Sequence, residues 1–250
     1  MMKQFWSLSL ASLVLLGMCV AAPMQADAQA EKPVALFNGK DLSGWKGQGQ
    51  NNQWLVAGDV QLGNKDKSAF AIERGEGVMA NSLQGRTVNL FTEYKHGDCR
   101  LQIEFVVPNG SNSGVYFQGL YEIQVFDSYG KGIVEHSDCG GIYQRYVEAE
   151  GRGFEGHPPR VNASNAPGVW QSFDVVFRAP RFDAQGKKTE NARFVEVKHN
   201  GVTVHENVEV TGGTRAHMQL DEAPLGPLML QGDHGPVAYR NIRLTPLKLK

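Results

Sequence analysis

The stretch from Asn112 to Ser128, NSGVYFQGLYEIQVFDS, constrains the fold more than any other segment. Two strand-like runs there are separated only by Gly119-Leu120, and a connection that short joins antiparallel strands. Glycine first in a two-residue loop suits a type II′ turn. Alternation then puts Val115 and Phe117 on one side of their strand, and Glu122, Gln124 and Phe126 on one side of the next. Pairing across such a turn sets Tyr116 opposite Ile123, on the face away from Glu122. A carboxylate, an amide and an aromatic ring on one pleated surface form a composition that binds sugars.

The rest of the chain repeats this texture. Leu101, Ile103, Phe105 and Val107 alternate with Gln102 and Glu104 before an Asn109-Gly110 turn. Phe173, Val175 and Phe177 alternate about Asp174, and Phe194–His205 reads as a hairpin around Asn200-Gly201. Leu228–Gln231 and Val237–Leu244 read as closing strands. Short alternating runs, 29 glycines and no long amphipathic helical period predict an all-β sandwich of two antiparallel sheets. Between Asp127 and Trp170 lies a long polar segment with Ile142 and Tyr143 as its strand-like island, and a connection of that length is usually functional.

Residues 1–30 read as a secretory signal peptide: Lys3, an apolar run from Phe5 to Val20, then Ala26-Asp27-Ala28 or Ala28-Gln29-Ala30 for cleavage. The expectation is an exported chain, periplasmic or secreted, beginning near Gln29 or Glu31. Met18 before Cys19 is too large for the usual lipoprotein cleavage site, which makes a lipid anchor the lesser reading. Residues 31–250 are then a single β-sandwich domain with no transmembrane segment, since no later run approaches about 20 apolar residues. The formal charge of −1 supplies no field that would steer nucleic acid. Cys99 and Cys139 remain after processing, and export would permit them to pair or leave them free.

Glu122 and Gln124, two apart on a strand, are separated by about 6.6 Å and reach one small ligand. Asp127 stands about 16 Å from Glu122 along a straight strand. Paired-carboxylate glycosidases keep about 5 to 10 Å between carboxyls, so Asp127 acts only if the strand bends or from the rim. Gln231, Asp233 and His234 form a second polar knot, QGDHG, where a histidine among glycines is suited to proton transfer. Arg240 and Arg243 on the last strand either bind a substrate oxygen or pair with acids across strands. His136, Asp138, Glu155 and His157 offer divalent-metal donors without a recognised spacing, so a metal is possible on composition alone.

These blocks resemble the bacterial 3-keto-disaccharide hydrolase family, formerly domain of unknown function 1080. LFNGKDLSGW (Leu36–Trp45) looks like its opening signature, HGDCRLQIEF (His96–Phe105) its first long core strand and NSGVYFQGLYEIQVFDSYG (Asn112–Gly130) its central hairpin. CGGIYQ, VNAS, PGVWQSFDVVFRAPRFD, HNG and LQGDHGPVAYRNIRL follow in the family's order. RYVEAEGRGFEGH, between Gln144 and Pro159, departs by being longer and more charged, which bears on substrate choice.

The resemblance implies a concanavalin-like jelly-roll β-sandwich and an enzyme that cleaves glycosides already oxidised at C3. A ketone at C3 acidifies the C2 hydrogen, so a base removes it, the enolate expels the C1 leaving group, and water adds back. That chemistry needs a base, an enolate contact and an acid. The expectation assigns Glu122 or His234 as base, Gln124 and Arg240, or a bound metal, as enolate contacts, and Tyr116 or Asp127 as supporting acid. Gln231 and Tyr143 complete the expected substrate contacts, with His136, Asp138 and His157 as metal candidates. The alternative is a non-catalytic carbohydrate-binding module of the same fold.

Overall fold

In the computed structural model, Met1 and residues 31–250 are described. The expected leader, with Cys19 and both cleavage sites, lies outside the described residues, Met1 apart. Strands β1 (Val34–Ala35), β2 (Trp45–Gly47), β3 (Leu55–Leu62), β4 (Phe70–Ala80), β5 (Leu90–His96) and β6 (Cys99–Val106) come first. The hairpin follows as β7 (Asn112–Phe117) and β8 (Tyr121–Phe126). A short ribbon, β9 (Arg145–Val147) and β10 (Arg152–Phe154), leads to β11 (Gln171–Arg178). A second ribbon, β12 (Arg181–Phe182) and β13 (Lys188–Glu190), leads to β14 (Ala192–His199), β15 (Val202–Val210), β16 (Gly226–Leu230) and β17 (Ala238–Pro246).

An antiparallel sheet of eight strands runs β15-β14-β11-β6-β17-β4-β3 with β1 on β17, and one of five runs β2-β5-β16-β7-β8. Their facing sides hold the core: Phe105, Phe173, Phe177 and Phe194 from the larger sheet meet Leu90, Val115, Phe117, Ile123 and Leu230 from the smaller. This is the all-β sandwich the alternation predicts. Leu101, Ile103 and Phe105 are buried while Arg100 and Gln102 are exposed, and Phe173, Val175 and Phe177 are buried on β11 with Asp174 outside. Burial of each such side chain stabilises by about 1.5–3 kcal/mol, so reversing a strand's register would forfeit several of these contributions at once.

The central hairpin departs from its predicted turn. Its loop has three residues, Gln118, Gly119 and Leu120, closed by Leu120 N–H donating to the Phe117 carbonyl at 3.0 Å. Gln118 and Gly119 both adopt positive φ, +54° and +70°; glycine does so without strain, whereas Gln118 is a non-glycine residue held there by the fold. The extra loop residue moves the pairing by one, so Tyr116 lies opposite Glu122, and Gly114 opposite Gln124. The expected Tyr116–Ile123 pairing is therefore corrected, and Tyr116 shares the face of Glu122. Cys99 and Cys139 are buried and free rather than paired among the described residues.

The long segment after Asp127 is not merely a loop. Gly140 N–H donates to the Gln124 carbonyl (2.8 Å), Gln124 N–H to Gly141 (2.9 Å) and Tyr143 N–H to Glu122 (3.1 Å), so residues 140–143 extend the small sheet beyond β8. Ile142 bridges Ile123 and His157. Among the described residues no helix is long and apolar enough to cross a membrane.

Candidate active site

On the small sheet, the side turned away from the core carries Asn112, Gly114 and Tyr116 from β7, Glu122 and Gln124 from β8, and Gln231 just past β16. All of these but Gly114, with Tyr143, Glu148, Arg215, Ala216 and His234, line one cleft of about 410 Å³. The structure thus brings together the expected Glu122, Gln124, Tyr116, Gln231, Tyr143 and His234.

Glu122 forms the floor. Its residue is 2% exposed and no cation pairs with it among the described residues. A Cβ on Gly114 would sit 2.1 Å from Glu122 Oε1, so the carboxyl occupies space that only glycine leaves open. Burial pushes its pKa up to about 8; the Tyr116 hydroxyl opposes part of the rise by hydrogen bonding, and the Asp233 charge adds to it. That hydroxyl also reaches the Arg215 carbonyl at 3.3 Å. Burial raises the Tyr116 pKa too, with the Glu122 charge next in importance.

His234 stands half-exposed on the rim. Its Nδ1 meets Asp233 Oδ1 at 2.5 Å, and this contact holds its pKa above the usual imidazole value and that of Asp233 below the carboxylate one. Nε2 is left for the cleft. Gln124 Nε2 donates to the Asn112 side chain (3.3 Å) and the Ser137 carbonyl (3.1 Å), which fixes its amide. Gln231 is 6% exposed, and its Oε1 has no hydrogen-bond partner among the described residues. A buried orphan acceptor of that kind costs about 1–3 kcal/mol until something donates to it.

Two expected members are elsewhere. Asp127 is held by the loop between β6 and β7 and by its own, accepting from Gly110 N–H at 2.9 Å and Tyr129 N–H at 3.4 Å, and does not line the cleft. Arg240 lies on β17 in the larger sheet, bonded to Glu104 at 2.7 Å and stacked 4.0 Å over the Trp170 ring. Its role as an enolate contact is corrected accordingly. The metal candidates do not assemble: among the described residues no three His, Cys, Asp or Glu side chains group to hold an ion. Asp138 is engaged by Ser128, Lys131 and the Glu135 N–H, His136 packs edge-on against Tyr143, and His157 is tied by its backbone to Ile142.

The cationic residue that does line the cleft is Arg215, which sequence reasoning missed. Its loop is pinned to the hairpin: Thr214 N–H donates to Leu120, the Thr214 hydroxyl accepts from Glu122 N–H, and Arg215 N–H donates to Gln144. The guanidinium lies 3.8 Å over the Tyr146 ring and makes no ion pair among the described residues. The Gly212-Gly213 pair before it was the available sign of a tight turn.

The sequence matches the family described as the 3-keto-alpha-glucoside-1,2-lyase-like domain over residues 32–245. The chain belongs to this family. Its fold is a β-sandwich of two antiparallel sheets, as the resemblance implied. Among solved structures, a candidate glycosyl hydrolase from Parabacteroides distasonis is 28% identical, with a TM-score of 0.62 over 86% of this chain and 84% of that one. A second from the same organism, 19% identical, has a TM-score of 0.55 over 87% of this chain and 100% of that one, a likeness of fold. No curated protein sequence matches. Membership in the 3-keto-alpha-glucoside-1,2-lyase-like family makes the chain carbohydrate-active, of the glycoside-hydrolase-like enzyme type.

Proposed function

We propose that the protein cleaves glycosides carrying a ketone at C3, with Glu122 as the base at C2. The observation that carries this reading is the Glu122 carboxyl, buried without a cation in the space left by Gly114, at the floor of a polar cleft. Desolvation makes a carboxylate a stronger base than in water, closer to the acidity of a hydrogen beside a ketone.

The steps balance with these groups. Glu122 takes the C2 proton; the electrons left on C2 delocalise onto the C3 oxygen as an enolate, to which Arg215 and Tyr116 offer positive charge and a hydroxyl donor. Re-forming the ketone makes the C1–C2 double bond and expels the C1 oxygen with its bonding pair, and the His234 imidazolium, which the Asp233 carboxylate favours, supplies a proton to it. Water then adds its oxygen to C1 and a proton to C2. Gln124, Gln231 and Tyr143 hold the ring hydroxyls and face. In this scheme Arg215 replaces Arg240, and Asp127 has no part.

Export belongs to the same proposal: the leader-like residues 1–30 support delivery to the periplasm or exterior, testable by immunoblotting of cell fractions. The activity is tested with purified protein on a 3-keto-glucoside and its unoxidised parent. Cleavage of the first alone is expected; cleavage of both at similar rates, or saturable binding with no product, overturns the reading.

A further inference from the structure

One row of side chains crosses the outer face of the small sheet and serves two compartments. Tyr116 on β7 lies opposite Met229 on β16, Met229 opposite Phe91 on β5, and Phe91 opposite Lys46 on β2. Tyr116 lines the cleft described above, whereas Phe91 lines a separate groove of about 560 Å³. A strap, residues 214–218, divides them. Thr214 N–H donates to the Leu120 carbonyl and Met218 N–H to the Gly119 carbonyl, both at 2.9 Å, and the Met218 side chain packs with Tyr116 and Met229. Arg215 and Ala216 line the cleft, Met218 and Leu220 the groove, and no residue lines both.

The groove walls are largely apolar: Phe91, Leu120, Met218, Leu220, Leu225 and Pro227. Leu220 and Leu225 are 44% and 56% exposed, so a ligand covering them removes apolar surface from water. The charged side chains of the lining cancel. Lys46 pairs with Glu93 at 2.5 Å, and Lys95 and Asp221 contribute one charge of each sign, which leaves no net charge to draw an ion.

Within this lining one acceptor is unspent. Gln118 is 2% exposed, and its Nε2 donates to the His96 carbonyl (3.2 Å) and the Pro224 carbonyl (3.1 Å), which fixes the amide. Its Oε1 has no hydrogen-bond partner among the described residues. The position is built for this side chain, because a Cβ on Gly226 would sit 2.7 Å from the Gln118 Cβ. A buried acceptor without a donor is unfavourable, and a hydroxyl on a ligand satisfies it. An apolar pocket of this size with one fixed polar group has the form of a small-molecule site. Phe91 and the Met218 thioether both favour an aromatic ring as neighbour.

We propose that this groove is a second binding site, for a neutral aromatic molecule carrying a hydroxyl group. Its rings pack against Phe91, Met218 and Leu225, and its hydroxyl donates to Gln118 Oε1. Such a ligand is not part of the glycoside being cleaved, because the strap stands between the groove and Glu122. The site therefore holds whether or not the proposed cleavage does.

The probe is 2-naphthol, which is uncharged near neutral pH and reports its surroundings through its own fluorescence. Titrated into the full chain, it is expected to saturate one site. Its affinity should fall at least tenfold in Leu220→Asp/Leu225→Asp, where both changes are on exposed side chains, and stay unchanged in Glu122→Gln. Circular dichroism and Tm show whether the double variant is folded; if it is not, Leu225→Asp alone takes its place. Absence of saturable binding, equal affinity in wild type and the groove variant, or loss of binding in Glu122→Gln overturns the site. 2-Methoxynaphthalene, which keeps the rings and lacks the donor, and 2-naphthoate, which is charged, should each bind at least fivefold more weakly. Equal affinity for either compound overturns the class of ligand assigned to the groove.

Discussion

The outer faces of the two sheets are both polar, yet they solve their electrostatics in opposite ways. On the eight-stranded sheet the central acids Asp174 and Glu104 both have partners: Arg100 grips Asp174 through two contacts of 2.7 and 2.6 Å, Gln102 adds a third, and Arg240 with Asn241 satisfies Glu104. On the five-stranded sheet Glu122 is buried without a cation and Gln231 keeps an orphan acceptor, each recorded among the described residues. A self-satisfied surface needs only water. A buried group left unpaired stores a free-energy cost that a ligand can relieve, which is why polar composition alone does not mark a site and missing partners do.

The largest test of that contrast is Glu122→Gln. Turnover on a 3-keto-glucoside is expected to fall by about 10³-fold, within the range for loss of a general base, measured by product release under saturating substrate. Stability should move the other way with pH. The folded-state pKa of Glu122, about 8, lies above its ordinary value of 4.5, so the protonated folded form is favoured. Its contribution is fully present below about 4.5 and is lost as pH rises through about 8. Thermal melts across that window are expected to show a falling Tm in wild type and a flatter profile in the variant. An equally steep fall in Glu122→Gln would remove Glu122 from the account.

His234→Ala comes next, with an expected loss of about 10²-fold. Removing the acid also simplifies the pH profile: the rise in kcat/KM through about 8 as Glu122 deprotonates should remain, while the decline that loss of the His234 proton imposes on wild type should disappear. A decline that persists in the variant would show that another group carries the leaving-group proton.

How far these residues could be read beforehand depends on what period-two alternation encodes. It correctly separated inward Leu101, Ile103 and Phe105 from outward Gln102 and Glu104, because burial on one face is a local pattern. It could not say which sheet a strand joins. Gln231 and Arg240 are close in sequence, but the chain crosses between layers after β16, leaving them on different outer faces. The hairpin failed for a smaller reason. Gly119 was visible as a turn residue, whereas Gln118 at positive φ has no sequence signature, and one additional loop residue moved Tyr116 from the far face to the side of Glu122. Arg215 was hidden because hydrogen bonds from Thr214 and Arg215 fold its loop over the cleft, a long-range arrangement with no local period.

Gly114→Ala sharpens the comparison at intermediate strength. The added methyl would meet Glu122 Oε1 at 2.1 Å, and the obstructing atom is the tip of a side chain rather than backbone. The carboxyl should therefore swing aside while the sheet stays paired. Displacing a reacting group by about 1 Å can cost up to about 10²-fold in rate, so an expected loss of about 10- to 100-fold in kcat accompanies a Tm change of only a few degrees. A variant with native kcat would mean that the carboxyl position over Gly114 is immaterial to the reaction.

The smallest effect is expected from Arg240→Ala, made on the other face. The substitution breaks the pair with Glu104, whose side chains are 34% and 32% exposed, and removes the stack over Trp170. Solvent screens such a pair, so it contributes at most about 1 kcal/mol, and with the stack the expected loss is at most about 2 kcal/mol by denaturant unfolding, with turnover within twofold of wild type. The stack makes this a demanding control, because a cation over an aromatic ring contributes about as much as the ion pair when exposed. A tenfold drop in kcat with stability intact would mean that the larger sheet contributes to the chemistry after all. The distinction between satisfied and unsatisfied polar faces would then fail as a guide to where this protein works.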